Sequence, residues 1–220
     1  MISVCIPCHE KHIIHLQKLL HNIINQTLKP KQIIIIISEY KSINTNDVII
    51  EKLFDIIKDT NIELIIKKYF SVQYANTNRK IATELVTGDI IVFQDADDIP
   101  HKQRLEIINY FFMKFDCVHL LHGWKNFFTN NNLNIHEIEY INIISSNNFP
   151  FNIKKNNKNL CIHNGVLSFK TCILKDIVWN NLKKGQDVEL NKFIIDKFKN
   201  TILLDNCDIY NYRNELSSWN

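Results

Sequence analysis

Ile90-Ile91-Val92-Phe93-Gln94-Asp95-Ala96-Asp97-Asp98 runs from four consecutive apolar side chains straight into three carboxylates within four residues. The apolar run has the length and β-branched composition of a strand covered on both faces. A strand that ends on clustered acids is the carboxyl end of a sheet strand meeting solvent or ligand. Working outward, Gly88 stops a segment of helical composition from Thr77 to Val86, and Pro100 opens a helix expected to run to about Lys114.

The same alternation fills the residues before it. Ile2–Ile6 is strand-like; Ile13, Leu16, Leu20, Ile23 and Ile24 recur at helical spacing and stop before Pro30; Ile33–Ile37 is a continuous apolar run. Val48 to Ile57 reads as a helix and Ile62–Ile66 as a further strand. Strands alternating with helices predict an α/β fold with a mostly parallel central sheet flanked by helices. Beyond Lys114 a strand is expected at Cys117–Leu121, then the alternation lapses. The stretch from Ser145 to Asn159, rich in Asn and Lys, reads as an exposed loop. A last helix, Val188 to Phe198, leads to a strand at Thr201–Leu204 and a polar tail.

At 220 residues and 45% hydrophobic content, one compact domain covering 1–220 is expected. Roughly 70% of the unfolded surface is buried at this size, so neither disulfides nor a structural metal is required. The net charge of +3 is small, and the basic residues come in pairs such as Lys67-Lys68, Lys154-Lys155 and Lys183-Lys184. Nucleic acid is therefore not an expected partner. No apolar stretch approaches a membrane span, and residues 2–6 lead into a strand rather than a signal peptide. The six cysteines lie mostly in apolar segments, consistent with a reducing, cytoplasmic setting.

Ligands of open α/β sheets bind beyond the carboxyl ends of the strands. Those positions are Pro7 to Glu10, Ser38 and Glu39, and Gln94 to Asp98. Like charges packed as tightly as Asp95, Asp97 and Asp98 are offset by a cation, and hard oxygen ligands suit Mn²⁺ or Mg²⁺ bridging to phosphates. The plainer alternative is that Asp98 caps the next helix while Asp95 and Asp97 are solvated. That alternative leaves two acids unexplained.

These features resemble family 2 glycosyltransferases of the GT-A fold. Ile6-Pro7, Gln26-Thr27, the run Ile33–Ile37, Arg79, Gly88-Asp89, the Asp95-Ala96-Asp97 triplet, Gly165 and Gly185-Gln186-Asp187 stand in the family's places. The resemblance implies an inverting transfer of a sugar from a nucleotide-diphosphate sugar, a UDP-sugar first among them, to a hydroxyl acceptor of unknown identity. It implies a nucleotide-sugar-binding half, 1–104, and an acceptor-binding half, 105–220. Asp97 would hold the metal, and Asp187 would be the general base. Pro7, His9, Glu10, Glu39, Arg79, Asp95, Ala96 and Arg213 would bind the donor, with Asp95 on its ribose. His163, Asn164 and Gly165 would face the acceptor, His163 and Asn164 having a polar turn as their plainer reading. The chain departs from the family pattern at Ser38-Glu39, where an acidic pair is common, at Lys80 in place of Asn, and at Gln186, where Glu is common.

Other motifs compete. Cys5-Ile6-Pro7-Cys8 has redox spacing, but Cys5 is expected inside a strand. His9-Glu10-Lys11-His12 has its histidines three apart, not the four that a zinc-binding helix needs, and His12 and His15 are expected on the solvent side of a helix. His101 and Arg104 divide evenly between a surface position and a phosphate contact, and Arg213, near Tyr212 and Trp219, between the diphosphate and a frayed terminus. A sugar-phosphate nucleotidyltransferase would carry a Gly-rich, basic first loop, which Pro7–Lys11 is not. A non-catalytic nucleotide-sugar-binding module would keep the sheet and lack turnover.

Overall fold

The computed structural model describes residues 1–125, 137–138, 141–145, 164–180, 182 and 185–213. Its parallel core consists of β1 (Ile2–His9), β2 (Gln32–Ser38), β3 (Glu63–Lys68) and β4 (Ile90–Phe93), in the order β3-β2-β1-β4. The connections are α1 (Leu16–Ile24), α2 (Asn44–Ile57) and α3 (Ala75–Thr83). Each lies on a segment that the apolar pattern marks, with shifted bounds: β1 runs on to His9, α1 starts at Leu16, and α3 covers Ala75–Thr83 where the sequence predicts Thr77 to Val86.

The alternation of side chains across a strand sorts the isoleucine runs onto two faces. Val4, Ile6, Ile33, Ile35 and Ile37 pack on one side with Leu16, Leu20 and Ile23 of α1 and Ile50 and Leu53 of α2. Cys5, Ile34 and Ile36 pack on the other with Ala82 of α3. Each fully buried isoleucine contributes about 1.5–3 kcal/mol by leaving water, and β2 is buried along its whole length.

The remaining strands depart from a simple parallel pattern. They are β5 (Ile99–Pro100), β6 (His119–Lys125), β7 (Asn142–Ser145), β8 (Ser168–Lys170) and β9 (Thr201–Asn211). Antiparallel β8 sits between β4 and β6, β9 runs parallel to β6, and β5 and β7 pair antiparallel with β9. Among the described residues lie also α4 (Arg104–Lys114) and α5 (Gln186–Phe198). Helix α4 joins the first face through Leu105, Ile108 and Phe111, and α5 joins the second through Leu190 and Ile194.

Three sequence expectations are corrected here. Pro100 does not open a helix: it pairs with Tyr210 in β5, and α4 begins at Arg104. The expected strand Thr201–Leu204 extends to Asn211, because Cys207, Ile209 and Tyr210 are buried even though Asp205 and Asp208 interrupt the apolar pattern. Residues 10–15 form a 3-10 segment rather than the start of an α-helix. The loop expected from Ser145 to Asn159 lies outside the described residues apart from Ser145, which ends β7.

Candidate active site

The carboxyl ends of β1, β2 and β4 meet on one edge of the sheet. At the end of β1, His9 Nε2 lies 3.1 Å from Glu39 Oε1, just past the end of β2. Glu39 holds φ at 54°, a left-handed conformation that costs a non-glycine residue of order 1–3 kcal/mol and collects at ligand sites. Below them Asn78 of α3 ties the two strand ends together, its Nδ2 donating to Cys8 O of β1 at 3.5 Å and to Ser38 Oγ of β2 at 3.2 Å. Glu10 accepts from Asn46 Nδ2 at 3.3 Å, and Pro7 is a buried residue of β1 opposite Ile36.

Beyond β4 the acidic loop is shaped from inside. Buried Gln94 donates from Nε2 to the carbonyls of Asp95, at 3.0 Å, and Asp98, at 3.3 Å. Asp95 N donates to the Tyr210 hydroxyl at 3.1 Å. The Asp95 carboxylate accepts from Arg79 Nη2 at 2.7 Å, and Arg79 Nη1 lies 3.7 Å from Asp187 Oδ1. Arg79 is only 4% exposed, so a single buried guanidinium joins the loop after β4 to the first turn of α5. The Ala96 methyl is packed in the core, which leaves its backbone for any donor contact.

Asp98 does not cap a helix. It is buried and accepts the Arg213 backbone N–H at 2.8 Å, while Arg213 Nε donates to the Asp97 carbonyl. Arg213 thus straps the loop in place. Burial, reinforced by the Asp95 carboxylate, pushes the Asp97 carboxyl up to about 6. Burial and both neighbouring acids push Asp98 up to about 8. Carboxylates held this close are relieved by a cation. Across from Asp97, His12 Nδ1 lies 3.4 Å from Oδ2, so His12 faces the loop and not solvent as expected. Burial, with His15 and His9 nearby, lowers the His12 pKa and keeps the ring neutral at physiological pH.

His12 Nδ1 is buried and has no hydrogen-bond partner, which is the kind of atom a bound cation would satisfy. Among the described residues no group of three or more His, Cys, Asp or Glu could hold a metal ion. A cation at Asp97 would therefore take most of its ligands from diphosphate and water, as Mg²⁺ and Mn²⁺ commonly do.

On the opposite wall, Asn164–Val166 forms one 3-10 turn, and His163 lies outside the described residues. Gly165 sits so close to the loop that a Cβ there would lie 2.3 Å from the Tyr210 hydroxyl and 2.9 Å from Asp95 Oδ2. Any side chain would close this gap. Its carbonyl accepts from Arg104 Nη2 at 2.7 Å. Arg104 also donates to Phe93 O, Gln94 Oε1 and His122 Nε2, each at 3.0 Å, and its guanidinium lies over the Tyr210 ring. At 1% exposure it is neither a surface residue nor a phosphate ligand, and His101 is buried as well.

Asp187 is positioned by the start of α5. Gly185 adopts φ 75° there, a left-handed turn that only glycine takes without strain. Gln186 Oε1 accepts Asn76 N, at the start of α3, at 2.9 Å. Asn191 Nδ2 donates to the Asp187 carbonyl at 2.7 Å, and Asn191 Oδ1 meets His119 Nε2 at 3.2 Å. Burial pushes His119 down to about 3, so it serves this bridge as a neutral ring.

The structure thus brings Arg79, Asp95, Asp97, Gly165, Asp187 and Arg213 together, with His9, Glu10 and Glu39 on the same strand-end edge. The residues beside the acidic loop that sequence reasoning missed are Tyr210 and the inward-facing His12. Gln94 is signalled by its place between strand and acids; Tyr210 carries no local signal, because its role comes from β9. Cys5 and Cys8 are buried free thiols whose pKa values burial raises, which removes the redox reading. A cavity of about 510 Å³, lined by Met1, Leu28, Pro30, Asp59 and Asn109 among others, opens at the amino ends of the strands, away from the acids.

Curated protein sequences give no match. The structure of S. aureus TarS 1–349 in complex with UDP superposes with a TM-score of 0.68 at 15% identity, covering 95% of this chain and 59% of that one. The same fragment in complex with UDP-GlcNAc gives 0.65 at 16% identity, with 95% and 57% covered. A mycobacterial protein gives 0.62 at 13% identity, with 97% and 67% covered. The chain therefore spans less than two thirds of the TarS fragment, and these likenesses establish the GT-A fold. Among the described residues no helix is long and apolar enough to cross a membrane. The sequence profile of glycosyl transferase family 2 matches residues 3–179, and with the strand-end acids, the Arg79 bridge and the GT-A fold in place, the chain belongs to that family.

Proposed function

We propose that this protein transfers a sugar from a nucleotide-diphosphate donor to a hydroxyl acceptor, with inversion and with the help of Mn²⁺ or Mg²⁺. The observation that carries the reading is the Arg79 bridge, which holds Asp95 and Asp187 around one buried cation. Residues 1–104 supply the donor edge, from His9, Glu10 and Glu39 to Asp95 and Asp97. Residues 105–220 supply the acceptor wall at Gly165, with Asn164 and His163 beside it in sequence, and the base. UDP-sugars are the first donors to test, since TarS structures hold UDP and UDP-GlcNAc.

In this reading Asp97 would hold the cation, which when bound would supply Lewis-acid stabilisation of the departing diphosphate. Asp95 takes the donor ribose. Asp187 accepts the proton of the acceptor hydroxyl as that oxygen attacks the anomeric carbon from the face opposite the leaving group. Arg79 keeps the two carboxylates in register and offsets their charge, and Gly165, having no side chain, lets its turn pack directly against the acidic loop.

The test is a panel of nucleotide sugars, with and without Mn²⁺, scored for released nucleoside diphosphate. Metal-dependent release that Asp187→Asn and Asp97→Ala abolish supports the proposal. Release of pyrophosphate from a nucleoside triphosphate and a sugar phosphate would replace it with nucleotidyl transfer, and tight donor binding without turnover would reduce it to a binding module.

A further inference from the structure

His12 faces the acidic loop and has no part in the proposed chemistry. The 3-10 segment Glu10–His15 brings it there, because residues three apart eclipse in such a helix and line one edge. The rings of His9, His12 and His15 follow one another at centroid separations of 6.3 and 6.0 Å. Of the three, His12 meets Asp97. Its Nδ1 is buried, lies 3.4 Å from Asp97 Oδ2 and does not achieve a hydrogen bond. A buried polar atom left unpaired costs about 1–3 kcal/mol, and such a cost in a site calls for a ligand.

The spacing suits a shared cation. Two ligand atoms at bond lengths of about 2.1 Å lie roughly 3.0 Å apart at octahedral angles and roughly 3.4 Å apart at tetrahedral ones. We infer that His12 Nδ1 is a second protein ligand, beside Asp97 Oδ2, of the divalent cation that carries the donor diphosphate. This rests on the donor-site reading above and sharpens it. An imidazole nitrogen in an otherwise oxygen ligand set favours Mn²⁺ and later transition ions over Mg²⁺, so His12 gives the site a metal preference that carboxylate and phosphate alone would not.

Electron spin echo modulation of Mn²⁺ bound with UDP, read against Mn²⁺ and Mg²⁺ affinities, tests the inference on the whole chain. The wild-type protein should show coupling from a directly bound histidine nitrogen. His12→Gln should lose that coupling and bind Mn²⁺ about 10–100-fold more weakly, with Mg²⁺ affinity nearly unchanged. Mn²⁺ bound with UDP in the wild type but without nitrogen coupling would overturn the His12 assignment and leave the donor site standing, as would His12→Gln keeping the Mn²⁺ preference. Failure of the wild type to bind Mn²⁺ with UDP at all would overturn both.

Discussion

Arg79 and Arg104 are both buried guanidiniums beside the acidic loop, yet they face opposite kinds of partner. Arg79 meets two carboxylates, Asp95 and Asp187, whose side chains remain 24% and 37% exposed. Arg104 meets the carbonyls of Phe93 and Gly165, the Gln94 amide and His122, all of them buried. With burial as the dominant effect, its pKa is lowered to about 10. The difference separates two tasks. The Arg104 corner joins strand β4 to the Gly165 turn and is satisfied within the protein, whereas the Arg79 corner holds charges that continue into open space. A buried cation surrounded by neutral acceptors is architecture; one whose acids reach solvent is a site.

Substitutions at the two corners should therefore fail differently. The largest effect is expected from Asp187→Asn, which removes the proposed base: turnover should fall about 10²–10⁴-fold while the melting temperature stays within a few degrees of wild type. A rate loss matched by unfolding would erase the distinction. Arg104→Ala should do the reverse, lowering stability by about 3–5 kcal/mol in denaturant titrations because several buried acceptors lose their donor together. Arg79→Lys should be intermediate. A lysine keeps the charge but cannot hold both carboxylates in a fork, so activity should fall about 10-fold with a stability loss of about 1 kcal/mol.

The smallest effect concerns the bridge that supports Asp187. His119 is held neutral, with its pKa moved from 6.5 to about 3, so between those values the unfolded chain binds a proton that the folded chain does not. Stability from this residue is therefore lost as pH falls below 6.5, by about 2 kcal/mol at pH 5. Asp98 acts in the opposite sense: its raised pKa removes stability as pH rises from about 4 through 8. Acid titration of wild type against His119→Gln isolates the histidine, and the variant should lose that part of the slope between pH 6.5 and 5.

How far these corners can be read from sequence depends on whether their contacts are local. The strands β1, β2 and β4 announce themselves as apolar runs buried on both faces, and β3, at the sheet edge, by the shorter run Ile62–Ile66; Asp95 and Asp97 are proposed from strand-end position and Asp187 from family resemblance. Three-residue β8 carries too little pattern to be seen. Tyr210 is hidden because Asp205 and Asp208 make the end of β9 resemble a polar tail, although pairing with β5 and β6 carries it into the core. Arg104 looks like an ordinary helix residue, since its four acceptors come from parts of the chain that only the fold assembles. His12 was assigned to solvent on α-helical spacing, and the tighter 3-10 turn places it against Asp97 instead. Burial of a charged group is the property that one-dimensional pattern conveys least.

The account stands most directly on calorimetric titration of UDP into the protein with and without Mn²⁺, for wild type and Asp97→Ala. Mn²⁺ should tighten UDP binding by about 10-fold or more in the wild type, and that gain should vanish in Asp97→Ala while the metal-free affinity is retained. Equal UDP affinity with and without Mn²⁺, unchanged by loss of Asp97, would contradict a cation site at the acidic edge of the sheet.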